Sequence, residues 1–82
     1  MAWRRAVSGP AADVVAELAG YAGEYEAAAG RGDPWAHERL LAVRSWTDMI
    51  GAARGDAVVA DLFLEFARGD RAVWLGLRGG VA

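Results

Sequence analysis

Cysteine and lysine are both missing from this chain, and only one histidine, two methionines and two prolines occur in it. The absence of cysteine excludes a disulfide framework, thiolate zinc sites and a thiol nucleophile. What is left for catalysis is His37, Ser8, Ser45 and Thr47 beside the carboxylates. Ser45 follows His37 by eight positions, about 80° around a helix and about 12 Å along it, which separates any nucleophile from its base. Glu24 and Glu26 point to different sides of a helix, and Asp13 and Glu17 read as a solvated acidic face. His37-Glu38 has no second histidine at zinc-motif spacing, and no glutamate stands three residues before His37 to build a di-iron pair. Gly30-Arg31-Gly32 is followed by neither lysine nor a third glycine, so it reads as a helix end rather than a phosphate loop. The expectation is a non-enzymatic chain with no catalytic residues, no metal and no cofactor.

Long apolar runs are absent as well. No uncharged stretch approaches the roughly 18 residues of a membrane span. Arg4-Arg5 resembles the start of an export signal, but Pro10, Asp13 and Glu17 break the chain's apolar character before a hydrophobic segment can form. A soluble, cytoplasmic protein with no membrane partner is the expectation. Nine Arg against eleven Asp plus Glu leave a net charge of -2, which disfavours a basic nucleic-acid clamp.

The chain does have 45 apolar residues among 82, of which 19 are alanine and 26 are larger. That suffices for one core, so a single helical domain over 1–82 is expected, with a short N-terminal arm at 1–8 and a C-terminal tail at 78–82. Its organising signal is a tripeptide used three times, Arg31-Gly32-Asp33, Arg54-Gly55-Asp56 and Arg68-Gly69-Asp70. Each reads as a helix junction: arginine against the negative helix end, glycine in the left-handed C′ position, aspartate capping the next helix. Pro34 at the first helical position strengthens the first junction. Ser8 or Gly9 before Pro10 starts the first helix in the same way. The fold class is therefore all-α, a small bundle of three helices at about 10–30, 33–53 and 56–68. A short fourth helix or a strand is expected near 70–77. Helix is preferred there, although Val73, Leu75 and Leu77 alternate as a strand does. Trp3, Arg5 and Val7 alternate too, so the other reading is a two-stranded ribbon of the chain ends.

Placed at 100° per residue, Val14, Leu18, Tyr21, Tyr25 and Ala28 make the buried stripe of the first helix. Ala16, Gly20, Gly23 and Ala27 line its opposite side and permit close approach by another helix. In the second helix Ala36, Leu40, Val43, Thr47 and Ile50 form a core stripe. Beside it run Trp35, Ala42, Trp46, Met49 and Ala53, with Arg39 near the boundary. The third helix is expected to bury Val58, Val59, Leu62, Phe63 and Phe66 and to carry Asp61, Glu65 and Arg68 on its solvent side, with Leu64 off the apolar face.

The apolar arc of the second helix is wider than one small core needs, and surplus bulk on a domain this size points to a partner. Trp, Arg and Met are also the types enriched at contact surfaces. Arginine in place of lysine, with abundant alanine and glycine, is what a GC-rich genome writes anywhere, so the tryptophan placement carries the inference. The reading is a protein-protein interaction module: an accessory subunit, adaptor or inhibitor that binds another protein or itself as an oligomer. Its expected anchors are Trp35, Arg39, Trp46 and Met49, with Ala16, Gly20, Gly23 and Ala27 as a helix-helix contact. The alternative is a small DNA-binding transcriptional regulator built on a helix-turn-helix at Arg54-Gly55-Asp56. Asp56, Asp61 and Glu65 on its reading helix oppose that alternative, because they repel phosphates.

Overall fold

A computed structural model describes residues 10–79. It contains three helices: α1 at Pro10–Gly30, α2 at Ala36–Ala52 and α3 at Ala57–Gly79. They run up, down and up. Gly55, ahead of α3, lies against Ala11 at the start of α1, and the ends of α1 and α3 meet through Asp33, Trp74 and Arg78. No strand occurs among the described residues.

The first junction forms as its residues dictate. Gly32 takes φ 92°, the Asp33 amide donates to Ala28 O and the Gly32 amide to Ala29 O, both at 3.0 Å. This is a Schellman ending, which occupies carbonyls that the helix leaves unpaired. Asp33 Oδ1 then accepts from the Trp35 amide at 2.9 Å, so the capping aspartate and Pro34 shape an entry turn. The regular helix starts at Ala36 rather than at 33.

The second junction differs from the expected scheme by one residue. Arg54, not Gly55, occupies the C′ position, with φ 57°. Its amide donates to Gly51 O at 2.9 Å while the Gly55 amide reaches Ile50 O at 3.0 Å. Gly55 is left-handed as well, at φ 72°, and a Cβ there would stand 3.3 Å from the Ala11 side chain. Asp56 caps α3 as expected, accepting from the amides of Val58 and Val59 at 2.9 and 3.1 Å.

The third tripeptide is not a junction. Arg68-Gly69-Asp70 lies inside α3, which continues for 23 residues, so the expected helix end at 68 and the separate element at 70–77 are replaced by one helix. Tertiary pairing explains why. Arg68 Nε and Nη2 donate to the two oxygens of Glu17 at 2.7 and 2.9 Å, and Arg71 forms the same forked pair with Glu24 at 3.1 and 3.0 Å. Helical continuity across Gly69 keeps both arginines on one face toward α1. These links favour continuing the helix through Gly69, against the preference of glycine to end it. Glu17, expected with Asp13 on a solvated acidic face, is thus bonded across helices, and so is Glu24.

Val14, Leu18, Tyr25 and Ala28 of α1 and Ala36, Leu40, Val43 and Ile50 of α2 are buried, with Tyr21, Trp46 and Phe63 packed at the margin. This agrees with the stripes expected for both helices. The contribution of α3 does not. Its buried residues are Ala60, Ala67 and Trp74, one every seven positions, and Leu64 packs beside them. Val58, Leu62 and Phe66, expected inside, are exposed. Two alanines on the inner face let the α3 backbone approach its neighbours closely, and the bulky residues turn away.

Trp74 closes the core at the far end. Its indole meets Tyr25 edge to face at 4.8 Å and donates Nε1–H to Asp33 Oδ2 at 3.1 Å. The Arg78 guanidinium lies 4.6 Å above it.

Candidate functional site

The outward turn of α3 leaves a continuous apolar face on the molecule. At 100° per residue, Val58, Leu62, Phe66, Gly69, Val73 and Leu77 fall within an arc of about 100°, on the side away from Ala60, Ala67 and Trp74. All six are exposed; Val58 is 77% accessible and Phe66 49%. The face extends onto α2 because Trp46 stands beside α3, its ring 6.2 Å from that of Phe66. Phe66 also meets Phe63 edge to face at 5.9 Å. These aromatic contacts hold the exposed ring in place from beneath, so the patch has a defined shape.

The four expected anchors have different positions. Met49 is 48% accessible and Trp35 42%. Trp46 is half-buried, one edge on the core and the other toward Phe66. Arg39 turns inward instead: Nη1 donates to Trp35 O at 3.1 Å, and Nε lies 3.5 Å from Asp70 Oδ1, within ion-pair range but without a hydrogen bond. Arg39 therefore fastens α2 to α3 and fixes the first turn of α2 below Trp35. Trp74 is core, and Trp3 lies outside the described residues, as do Arg4, Arg5 and the rest of the expected arm at 1–8. Of the expected C-terminal tail, Arg78 and Gly79 belong to α3.

Ala16, Gly20, Gly23 and Ala27 lie on the open exterior of α1. A Cβ added at Gly20 or Gly23 would meet nothing within 4 Å, so no helix among the described residues uses that stripe. Apart from it, an open crevice of about 540 Å³ separates the start of α1 from the end of α2, walled by Ala11, Ala12, Val15, Ile50 and Gly51. It is mostly apolar, with Thr47 and Arg54 also on its walls, and no histidine or carboxylate among the described residues lines it.

Two forked charge pairs, Glu17–Arg68 and Glu24–Arg71, sit where α1 meets α3. There the Arg68 fork and the Tyr21 hydroxyl both donate to Glu17, and these bonds hold the Glu17 carboxyl down at about 2. Arg71 lies 5.1 Å over the Tyr21 ring. Burial, aided by the nearby Asp70 charge, pushes the Tyr25 phenol up to about 12. Each shift is explained by packing or pairing inside the bundle. Among the described residues no three metal-capable side chains converge, and His37 is exposed on the outer face of α2.

Sequence reasoning missed Val58, Leu62 and Phe66 as surface residues because it placed bulk inside. Two signals were available. Ala60, Ala67 and Trp74 recur every seven residues, and Arg68 and Arg71 can face Glu17 and Glu24 only if α3 is rotated that way. Comparison with protein-family models, with curated proteins and with solved structures finds no match for the chain.

Proposed function

We propose that this protein is a non-enzymatic protein-protein interaction module, an accessory subunit, adaptor or inhibitor working in the cytoplasm. The observation that carries the reading is the apolar face shared by α2 and α3, where Trp46 adjoins Phe66 and Trp35, Met49 and Leu62 stand exposed. A rigid aromatic cluster at the surface has the character of a binding hot spot. Large contiguous apolar patches are rare on proteins that act alone. The forked Glu17–Arg68 and Glu24–Arg71 pairs sit where α1 meets α3 and hold the bundle together. No helix among the described residues is long and apolar enough to cross a membrane, and the reading assigns the face to protein rather than to lipid.

The experiment is affinity capture from the native host by the full chain, run beside a Trp35→Ala/Met49→Ala variant. One specific partner is expected to be retained by the wild type and lost by the variant, while circular dichroism shows equal helicity. Capture of the same proteins by both forms refutes the assignment of this face.

A further inference from the structure

We propose that the occupant of the α3 stripe is a second copy of this chain, packed antiparallel about a two-fold axis that passes between Phe66 and Gly69. The proposal rests on the interaction reading and names the partner. The stripe positions Val58, Leu62, Phe66, Gly69, Val73 and Leu77 are separated by 4, 4, 3, 4 and 4 residues, a series that is the same in both directions. In an isologous two-fold contact residue i meets j and j meets i, and a series of this kind lets every stripe residue do so when the two helices run antiparallel.

In the antiparallel register Val58 lies over Leu77 of the second copy, Leu62 over Val73, and Phe66 over Gly69. The last pair sets a ring over bare backbone, since Gly69 has no side chain and a Cβ there would stand in open space. The flanks agree with this register, because Glu65 comes beside Ala72 of the other copy and meets no like charge there. A parallel pairing would instead set Phe66 against Phe66 and leave Gly69 facing Gly69.

The size is adequate. From Val58 to Leu77 the stripe is about 28 Å long, and with the adjoining side chains of α2 it is about two helix widths across. That is a footprint on the order of 600 Å², the lower end of what each partner contributes to a stable interface. The two-fold also brings both α2 helices to the same side of the α3 pair, so Trp46 and Met49 of each copy border the joint. Gly69, which looks like a helix break, acquires a use as the bare backbone under the opposing ring.

Sedimentation equilibrium of the full chain should show a monomer–dimer equilibrium at micromolar concentration. Phe66→Glu should leave helicity unchanged and raise the dissociation constant at least a hundredfold. Gly69→Leu should raise that constant at least tenfold, yet in the Phe66→Glu background it should increase the thermal midpoint, because it replaces a mid-helix glycine in open space. Orientation is read by oxidising a mixture of Leu62→Cys and Val73→Cys chains, which carry no other cysteine. Mixed 62–73 disulfides should exceed 62–62 disulfides. A monomer at millimolar concentration, an assembly insensitive to Phe66→Glu, or a preponderance of 62–62 links each overturns the dimer. If the chain is monomeric while wild type still captures a different protein that Trp35→Ala/Met49→Ala loses, the interaction reading stands and only the self-pairing fails.

Discussion

Individual side chains in this protein divide by what they touch rather than by type, and the tryptophans show it best. Trp74 and Trp35 are both indoles, yet one is enclosed by Tyr25, Asp33 and Arg78 while the other faces solvent. Trp74→Ala should therefore cost about 3–5 kcal/mol in urea unfolding, the range for removing a buried aromatic. Trp35→Ala should cost less than about 1 kcal/mol. Glu17 supplies a pH-dependent test. Its carboxyl, held near 2 by Arg68 and then by Tyr21, lies below the unfolded value of about 4.5, so the pairing stabilises the fold above about 4.5 and is lost as pH falls through about 2. Arg68→Ala should lower the thermal midpoint at pH 7 and leave it unchanged below pH 2. The same substitution should return the Glu17 carboxyl upward in an NMR titration. Tyr25 acts at the other end of the scale: because its phenol is raised by burial to about 12, the neutral form favours the folded state, and that contribution disappears as pH climbs from 10 through 12.

At the level of the helices, caps and interruptions decide lengths. Arg54 holds a left-handed conformation that costs a side chain about 1–2 kcal/mol, and Gly55 is required one position later, beside Ala11. Arg54→Gly should raise stability by about 1 kcal/mol, less the added freedom of the unfolded chain. Asp56→Ala should lower it by about 1 kcal/mol through loss of the bonds to the Val58 and Val59 amides. Chemical denaturation measures both. The same Arg-Gly-Asp triplet ends a helix twice and continues one once. At 31–33 a Schellman ending forms and proline comes next; at 68–70 there is no proline and both charged residues are drawn to neighbouring helices, Arg68 to Glu17 and Asp70 to Arg39. The triplet is the same in the two cases; Pro34 favours the ending at the first, and tertiary partners favour continuation at the second.

At the largest scale, residues 10–79 are three helices of 21, 17 and 23 residues. Three long helices joined by short turns give one thin layer of core, and a thin layer leaves side chains over. Here those are the residues along the outer side of α3. In the dilute monomer, changing Val58, Leu62 and Leu77 together to glutamate should alter unfolding free energy by about 0.5 kcal/mol or less per site, as for surface positions. It should also weaken binding of a hydrophobic dye to the folded monomer, in which Phe66, Val73 and Met49 stay exposed. A collapse of the far-ultraviolet circular dichroism in that variant contradicts this orientation of α3.

Helical class, the start at Pro10, the turns at 31–33 and 54–56, and the inner stripes of α1 and α2 were legible in the sequence because all come from local preferences: proline and aspartate at starts, left-handed residues at ends, apolar periodicity between. They depend on neighbours within a few positions, and a one-dimensional pattern contains those. Of the candidate site, Trp35, Trp46 and Met49 could be placed from their helix alone, whereas the length of α3 and its rotation were settled elsewhere. Helix propensity and apolar count favour burying Val58, Leu62 and Phe66, but the forks to Glu17 and Glu24 and the enclosure of Trp74 by Tyr25 and Asp33 require the opposite face inward. The hydrogen bonds among these contacts join residues 41 to 51 positions apart, so only three-dimensional packing could choose which side of α3 turns outward.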